Sequence, residues 1–578
     1  MVQQERSLIL ANRYRGSAQQ FMRTPFQTNQ RRGGMTGNQG TSERDTASNF
    51  AKRVEANQRE LAASLKPAYD FVVCGAGSSG SVVARRLAEN PAVTVLLLEA
   101  GGTDDIPEIQ DPSKWVFNLG SEREWGFQTE PSPNLNGRSI PYAMGKALGG
   151  GSSINVLVWS RGHQTDWDYF AEVSGDEAWA YDSILRLYRR IEDYHGAADQ
   201  LYRGSGGPIY LQNASSDLHP FNEAVLQAAE TAGLPRFKNP NGSMMESTEG
   251  CSTTDRILRC GRRQSVFRSY PYPLMDQPNL TVLTGALVTR ITFTGKRATG
   301  IELFYDRRLR HIEAGSEVIV SLGAVQTPKV LMQSGIGNHA ELERFNIPVV
   351  EHLPGVGQNL QDHPNLSCVW EFSEKQADAN ILTEAVAFWR SDPSLASPDL
   401  LIFPLMVPYT SAENMARYQP PEHSWTLASV LLRPKSRGQI RLTGPNPSDR
   451  LRIEANILSD PADLQVALSG IATCREIGSA DALEPFRGKE ILPGNLKYHA
   501  LEHFVREGVG NFSHQSCTAK MGRDAMSVVD AHLRVYGIDN LRIADASIMP
   551  RITTGNTMAP CVVIGERASD LLRTRHGL

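Results

Sequence analysis

The chain has 578 residues, of which 40% are hydrophobic and 21% are charged, and its formal net charge at pH 7 is −4. This length exceeds what one hydrophobic core usually serves, so we expect two domains, and the lack of a basic excess argues against a nucleic-acid partner. No apolar run approaches the roughly 18 residues of a membrane-spanning helix, which predicts a soluble protein without a membrane span. The seven cysteines include no C-x-x-C pair, which argues against disulfides and a metal site and favours a reducing, cytoplasmic location.

Residues 1–66 differ in composition from the rest of the chain. The segment Met1–Arg44 is rich in Gln, Arg, Ser and Gly and lacks the apolar core of a secretory signal. We expect an N-terminal extension that is partly disordered, with a transit-type presequence as the alternative. Ser48–Leu65 has helical composition and ends just before Pro67, so it predicts a helix that leads into the first strand.

The stretch Asp70–Gly102 predicts a dinucleotide-binding unit. A short apolar run, Phe71–Cys74, is typical of a buried strand, and Gly75-Ala76-Gly77-Ser78-Ser79-Gly80 follows it, before residues with helical spacing. In such a turn the first glycine permits the tight turn, the second lets the backbone approach a pyrophosphate, and the third lets the helix pack on the strand. Glu99 ends a second apolar run at about the distance where an acidic side chain meets a ribose 2′-hydroxyl. These features leave FAD and NAD open, and an ordinary tight turn is the alternative.

A second glycine-rich motif follows a long segment with loop character. It reads Gly145-Lys146-Ala147-Leu148-Gly149-Gly150-Gly151-Ser152-Ser153-Ile154-Asn155. Three consecutive glycines let backbone pass close to a flat or charged ligand. A flexible linker is the alternative, but the apolar residues Val156–Trp159 follow directly and would anchor the loop in a core.

Four stretches together resemble one protein family. Gly145–Asn155 resembles the first signature of the glucose-methanol-choline (GMC) family of flavoprotein oxidoreductases, and Gly323–Gly337 resembles its second signature. Gly355–His363 and Arg433–Gly438 are similar to later regions of the same family. The similarity runs from about residue 69 to about residue 572, so it leaves only the N-terminal extension outside.

The resemblance implies a fold and a division into domains. It implies an α/β protein with a Rossmann-like FAD-binding domain and a discontinuous α+β substrate domain built on an antiparallel sheet. We assign residues 67–169, 251–365 and 509–578 to the FAD-binding domain. Residues 170–250 and 366–508 are assigned to the substrate domain.

The resemblance also implies FAD rather than NAD as the cofactor. The residues expected to bind it are Gly75, Gly77, Ser78, Ser79, Gly80, Glu99, Ala100, Trp125, Gly145, Gly150, Ser152, Ser153, Asn155, Val156, Val288, Asp545, Ala546 and Thr557. Some relatives carry a histidine just before the asparagine of the first signature, where it is linked covalently to the flavin. This chain has Ile154 there, and an isoleucine cannot form that bond, so we expect non-covalent FAD.

The resemblance places the chemistry near the C-terminus, at His514 and Asn556. Alcohol oxidation by hydride transfer needs a flavin N5 to receive hydride, a base near the hydroxyl and a polar group that orients the oxygen. His514 is the candidate base because the unperturbed pKa of histidine, about 6.5, allows a neutral imidazole at physiological pH. Asn556 can offer both a donor and an acceptor to the same oxygen. Without the resemblance, both would be taken as structural residues, and His363 is expected to be a loop hydrogen-bonding residue rather than a base.

The resemblance therefore implies an FAD-dependent alcohol oxidase or dehydrogenase that produces an aldehyde or ketone. Its partners would be a small alcohol and dioxygen or another electron acceptor, and its oligomeric state is left open. The alternatives are a fatty-acid photodecarboxylase, a hydroxynitrile lyase and a flavin binder without catalysis; the decarboxylases depart from the family at the positions of His514 and Asn556. Aromatic residues such as Phe388, Phe403 and Tyr409 are available to line a pocket. Choline as substrate is unsupported, because no single acidic residue stands out as a partner for its ammonium group.

Overall fold

The computed structural model describes residues 39–376 and 382–578. Residues 1–38 of the predicted N-terminal extension, which was assigned to residues 1–66, lie outside these ranges. None of the helices within them is both long and apolar enough to cross a membrane. The same ranges contain no group of three His, Cys, Asp or Glu side chains that could hold a metal ion.

The first sheet has seven strands and is built around the predicted dinucleotide unit. Its strands run in the order Leu280–Leu283, Val95–Leu98, Ala68–Cys74, Arg308–Val320, Arg297–Tyr305 and Leu287–Thr294, and Leu541–Ile543 also pairs with Arg308–Val320. The first four and the last-named strand are mutually parallel, whereas the other two are joined by antiparallel pairing. The last four residues of Ala68–Cys74 are fully buried, as expected for a parallel strand covered on both faces.

The N-terminal helix Gln39–Ala63 covers an edge of this sheet. The side-chain amide of Gln58 donates to the carbonyl oxygens of Met275 and Leu280, at 2.8 and 2.9 Å, and accepts from the N–H of Val282 at 2.9 Å. Backbone groups at the edge of a sheet have no neighbouring strand to pair with. The side chain of Gln58 pairs with two of them, at Leu280 and Val282, and so joins the helix to the sheet.

Two helices from opposite ends of the chain cross next to the glycine turn. Ser78–Ala88 follows the first strand, and Met558–His576 is the C-terminal helix. At Gly565 an added Cβ would lie 2.7 Å from the carbonyl oxygen of Ser79, so the helices approach as closely as they do because this position has no side chain. The start of the C-terminal helix is thereby held beside the turn.

The second sheet also has seven strands, and all of its pairings are antiparallel. Its strands run in the order Arg487–Leu492, Pro364–Phe372, Ser424–Leu431, Leu400–Leu405, Ala385–Trp389 and Gly250–Thr253, and Gly510–Asn511 also pairs with Pro364–Phe372. Three helices, Pro220–Thr231, Pro461–Ser479 and Tyr498–Gly508, pack against one face. The other face is apolar as well, and among the described residues no α-helix contributes to its buried apolar cluster.

The strands of the second sheet cross the domain boundaries that we assigned from the sequence. Gly250–Thr253 begins at one boundary, and Pro364–Phe372 spans another. Gly510–Asn511, assigned to the FAD-binding domain, pairs with Pro364 and Asn365. The two assigned domains are therefore connected through hydrogen-bonded strands rather than through flexible linkers.

Candidate active site

In the glycine turn after the first strand, two glycines pack tightly against backbone atoms, and the third faces open space. Gly75 has φ +102°, and a Cβ there would collide with the carbonyl oxygen of Ser321. A Cβ at Gly80 would collide with the carbonyl oxygen of Gly75. At Gly77, in contrast, an added Cβ meets no protein atom within 4 Å. The turn thus leaves free the side on which a pyrophosphate would approach the backbone.

Glu99 lies beside this turn, as its spacing in the sequence predicts. Its Oε2 accepts from the N–H of Ala76 at 3.2 Å, and its Oε1 accepts from the N–H of Gly101, beyond Ala100, at 2.9 Å. Burial raises the pKa of Glu99 to about 7, although these hydrogen bonds oppose the shift. Each carboxylate oxygen keeps acceptor capacity for a ribose hydroxyl.

The triple-glycine motif lies against the same turn. The N–H of Gly149 donates to the carbonyl oxygen of Ala76 at 2.8 Å, and a Cβ at Gly150 would lie 2.8 Å from the Cα of Gly77. A Cβ at Gly145 would collide with the backbone of Gly150. The two glycine motifs are thus pressed together in a cradle that fits a flat, anionic dinucleotide.

The serines of the two motifs donate their hydroxyl hydrogens to protein carbonyls. Ser79 donates to a carbonyl of the C-terminal helix at 2.7 Å, while Ser152 and Ser153 donate within their own loop at 2.7 and 2.5 Å. Ser78 is the first residue of its helix. Their hydroxyls hold the cradle together, so a cofactor would be met here mainly by backbone N–H groups.

Arg263 is a residue that the sequence analysis missed. It is buried and donates to the carbonyl oxygens of Ile109, Ser152 and Asn155, at 3.0, 3.2 and 2.6 Å, and to the side-chain oxygen of Asn155 at 2.7 Å. None of its hydrogen-bond partners is a carboxylate, and burial lowers its pKa to about 9. Arg263 therefore fixes the end of the triple-glycine loop, where the half-buried Val156 follows, and brings a positive charge to the cradle.

Two other predicted cofactor residues lie at the margin of the cradle. The N–H of Ala286 donates to the carbonyl oxygen of Glu99 at 2.9 Å, so the strand that carries the buried Val288 begins beside the acid. Trp125 stacks on Phe127 with ring centroids 5.9 Å apart. Both residues are held by the protein independently of any ligand.

Asp545 joins the second signature to the C-terminal region. Its Oδ2 accepts from the N–H of Gly323 at 2.9 Å and from the hydroxyl of Thr327 at 2.6 Å, and burial raises its pKa. The next residue, Ala546, accepts a backbone hydrogen bond through its carbonyl oxygen. Thr557 is the N-cap residue of the C-terminal helix and makes no side-chain cap. The carboxylate of Asp545 thus serves the fold, which leaves backbone groups to face a cofactor.

His514 and Asn556 converge although 42 residues separate them. His514 Nε2 lies 3.4 Å from Asn556 Nδ2, and His514 Nδ1 lies 2.9 Å from His363 Nδ1. The ring of Phe512 lies edge-on to His514, with centroids 4.8 Å apart. Burial lowers the pKa of His514 to about 3, and burial together with the neighbouring His514 and Arg433 holds the pKa of His363 well below its ordinary value. Both imidazoles are therefore neutral.

Asp362 aligns the two histidines through their backbone. Its Oδ1 accepts from the N–H of His363 at 2.7 Å and from the N–H of His514 at 2.8 Å. Burial raises the pKa of this carboxyl to about 7, and the hydroxyl of the buried Tyr142 lies beside it. One carboxylate thus holds both histidine segments in register.

Asp166 holds the loop that carries Asn556. Its Oδ2 accepts from the N–H of Thr554 at 2.7 Å, and its Oδ1 pairs with Arg433 and lies 3.7 Å from Arg551. Gly555 has φ +89°, and a Cβ there would collide with a neighbouring serine hydroxyl. The sequence analysis missed Asp166 because Arg433, Arg551 and Thr554 lie hundreds of residues away, and its local contact, a capping box with the N–H of His163 at 2.9 Å, indicates only a helix start.

Replacing Gly77 with alanine should preserve the fold and weaken FAD binding. The φ of Gly77 is −72° and an added Cβ meets no protein atom, so the folded protein accepts the methyl group. The methyl would block close approach of a pyrophosphate, and we expect roughly tenfold weaker binding or more, measured by titrating apoprotein with FAD. Gly102→Ala, at an exposed position that is equally open, is the matched control. Equal affinities in the two variants would contradict the assignment of the turn.

The chain matches known proteins over most of its length. The family model described as GMC oxidoreductase matches residues 69–365, and a second model with the same description matches residues 434–565. The mitochondrial choline dehydrogenase of Mus musculus is 36% identical over 553 residues, which cover 89% of this chain and 91% of that protein. The oxygen-dependent choline dehydrogenase of Pseudomonas fluorescens (strain SBW25) is 36% identical over 544 residues, which cover 88% and 94%.

Solved structures show the same architecture. Pyridoxine 4-oxidase from Mesorbium loti superposes with a TM-score of 0.83 at 30% identity, covering 88% of this chain and 99% of that one. Formate oxidase superposes with a TM-score of 0.80 at 26% identity and the same coverage. These matches confirm the predicted α/β fold class and FAD as the cofactor. The chain belongs to the GMC oxidoreductase family and is an FAD-dependent enzyme that acts on CH–OH groups.

Proposed function

We propose that His514 is the base that removes the hydroxyl proton of the alcohol and that Asn556 orients the alcohol oxygen. The observation that supports this most is the 3.4 Å separation of His514 Nε2 and Asn556 Nδ2, two polar atoms of half-buried side chains brought together from distant segments. An alcohol oxygen bound between them could donate its hydrogen to the imidazole and accept one from the amide.

The contact with His363 determines which ring nitrogen of His514 carries the hydrogen. Only one hydrogen can lie between the Nδ1 atoms of His363 and His514, which are 2.9 Å apart, and both rings are neutral. For His514 to present a lone pair at Nε2, its Nδ1 must carry the hydrogen and donate it to His363. His363 is thus a positioning residue for the base.

The cofactor would be held by the cradle described above. The turn at Gly75–Gly80, Glu99 and the loop at Gly149–Asn155 are the groups that would meet it. Bound FAD supplies the two-electron acceptor that takes the hydride from the carbinol carbon. The hydroxyl proton goes to His514 Nε2, so the alcohol loses a hydride and a proton and leaves as an aldehyde or ketone.

We also propose that dioxygen is the electron acceptor and that the protein is cytoplasmic. Relatives include proteins named oxygen-dependent choline dehydrogenase and pyridoxine 4-oxidase, which supports dioxygen as the acceptor that reoxidises the enzyme. All seven cysteines are free thiols, which supports a reducing, cytoplasmic environment. No observation favours decarboxylation, cyanohydrin cleavage or flavin binding without catalysis.

Replacing His514 with alanine should lower the rate constant of flavin reduction by about 100-fold or more, because a general base contributes an effect of this size. The measurement is anaerobic stopped-flow reduction of the holoenzyme with an alcohol. His503→Ala is the control, since that ring is exposed and contacts Asn136 and Glu507, away from the proposed catalytic pair. An unchanged rate in the His514 variant with full FAD content would refute the proposed mechanism.

The value of kcat/KM should not fall with an apparent pKa near 6.5, as it would for a base with the ordinary pKa of histidine. Because the pKa of His514 is lowered to about 3 from 6.5, the imidazole stays neutral as pH falls through 6.5, and the base remains competent. Asp362 titrates in the same range, since its pKa is about 7, but the protonated carboxyl can still accept the two backbone N–H groups. We therefore expect kcat/KM to stay nearly constant from about pH 8 to about pH 5. A tenfold loss per pH unit below an apparent pKa near 6.5 would show that the free enzyme protonates this base normally.

FAD should be released on acid precipitation. Ile154 occupies the position from which some relatives bond to the flavin, and it is a buried side chain without a nucleophile. The absorbance spectrum of the supernatant should account for all of the flavin. Flavin that stays with the pellet would disprove non-covalent binding.

A further inference from the structure

The second sheet presents two apolar faces that serve different purposes. Because side chains alternate along a strand, Leu400 and Ile402 pack with the helices on one face, while Leu401, Phe403 and Leu405 lie on the other. The second face, extended by Phe388 of the neighbouring strand, is an apolar cluster that we call the site face.

The site face reaches the catalytic pair from two directions. The ring of Phe403 lies 5.2 Å from that of Phe512, which in turn contacts the imidazole of His514. The Cζ of Phe388 would lie 3.4 Å from a Cβ placed on Gly555, the residue just before Asn556. An alcohol at His514 would therefore extend its substituent toward aromatic and aliphatic side chains.

Three carboxylates among the described residues stand directly before strands of the second sheet and are already paired. They are Glu249, Glu384 and Asp399. Glu249 pairs with an arginine at 3.0 Å, Glu384 accepts from an asparagine amide at 2.7 Å, and Asp399 accepts from the backbone and hydroxyl of a serine at 2.7 and 2.5 Å. None of the three is left to balance a positive charge on a substrate.

Among the described residues, the charges next to the pair leave no net negative charge to hold a cation, because the acids Asp362 and Asp166 lie near the guanidinium groups of Arg433 and Arg551. Asp166 lies between the two guanidinium groups, and its Oδ2 is used by the loop before Asn556. The charge of Arg433 contributes to the lowered pKa of His363. Aromatic rings attract cations, but the cost of moving a cation from water into an apolar site without net negative charge opposes that attraction.

We propose that the substrate is an uncharged alcohol with a bulky apolar or aromatic group beside its carbinol carbon, rather than a quaternary ammonium alcohol such as choline. This inference rests on the proposed roles of His514 and Asn556. It separates this chain from the relatives that are named choline dehydrogenases, despite 36% identity to them.

The test compares two alcohols of the same shape. 3,3-Dimethylbutan-1-ol has a tert-butyl group where choline has trimethylammonium, so the pair differs only in charge. Anaerobic reduction of the holoenzyme is followed at several concentrations of each alcohol, with benzyl alcohol as an aromatic probe. We expect the second-order rate constant to be at least about tenfold higher for dimethylbutanol than for choline, and benzyl alcohol to react as well.

Three results of this comparison would contradict the proposed substrate class. Choline that reacts as fast as dimethylbutanol, or faster, overturns the substrate class and leaves the role of His514 intact, because an alcohol still reduces the flavin. Reduction by polyols alone also overturns the class. If no alcohol of a wide panel reduces the flavin, the catalytic proposal fails and the substrate class fails with it.

A matched pair of variants tests the site face itself. Phe403→Leu alters this face, whereas Phe372→Leu removes a ring from the opposite face, where Phe372 packs on Phe221 with centroids 5.5 Å apart. We expect only the first variant to raise the KM for benzyl alcohol, by about tenfold, because a lost hydrophobic contact in a pocket has this size. Equal KM values in the two variants would contradict the assignment.

Discussion

The active site depends on the carboxylate of Asp362. It accepts the backbone N–H groups of His363 and His514, residues separated by 151 positions, and so brings their Nδ1 atoms within 2.9 Å. A buried carboxylate is costly unless backbone donors satisfy it, and here those donors belong to the residues that must be aligned. The raised pKa of Asp362, about 7, shows that burial outweighs these bonds.

The same burial determines the electrostatics around the pair. Both histidines are kept neutral, so one can donate its ring hydrogen and the other can accept it. Asp166 pairs with Arg433 and fixes the loop before Asn556. In the proposed site, neutral rings would thus meet the alcohol, while the carboxyl groups of Asp362 and Asp166 position the backbone.

The sequence was informative where a feature is local. The turn at Gly75–Gly80 and the distance to Glu99 predicted a cradle, because both follow from a strand, a turn and a helix adjacent in the chain. Arg263 and Asp166 were not predictable, since their partners are assembled only by tertiary packing. His363 was predicted as a loop residue near the cofactor, but its contact with the base depends on how two distant loops meet.

The two faces of the second sheet have different roles: one contributes to the stability of the fold, and the other is the face proposed to contact the substrate. Its helix-covered face holds the core of the substrate domain, and its other face meets the catalytic pair, although both faces use the same strands. Because neighbouring residues such as Ile402 and Phe403 point in opposite directions, a substitution can change the surface that faces the alcohol and leave the helix-packed core in place. This arrangement gives a physical reason why one scaffold can be shared by relatives whose names refer to compounds as different as choline and pyridoxine.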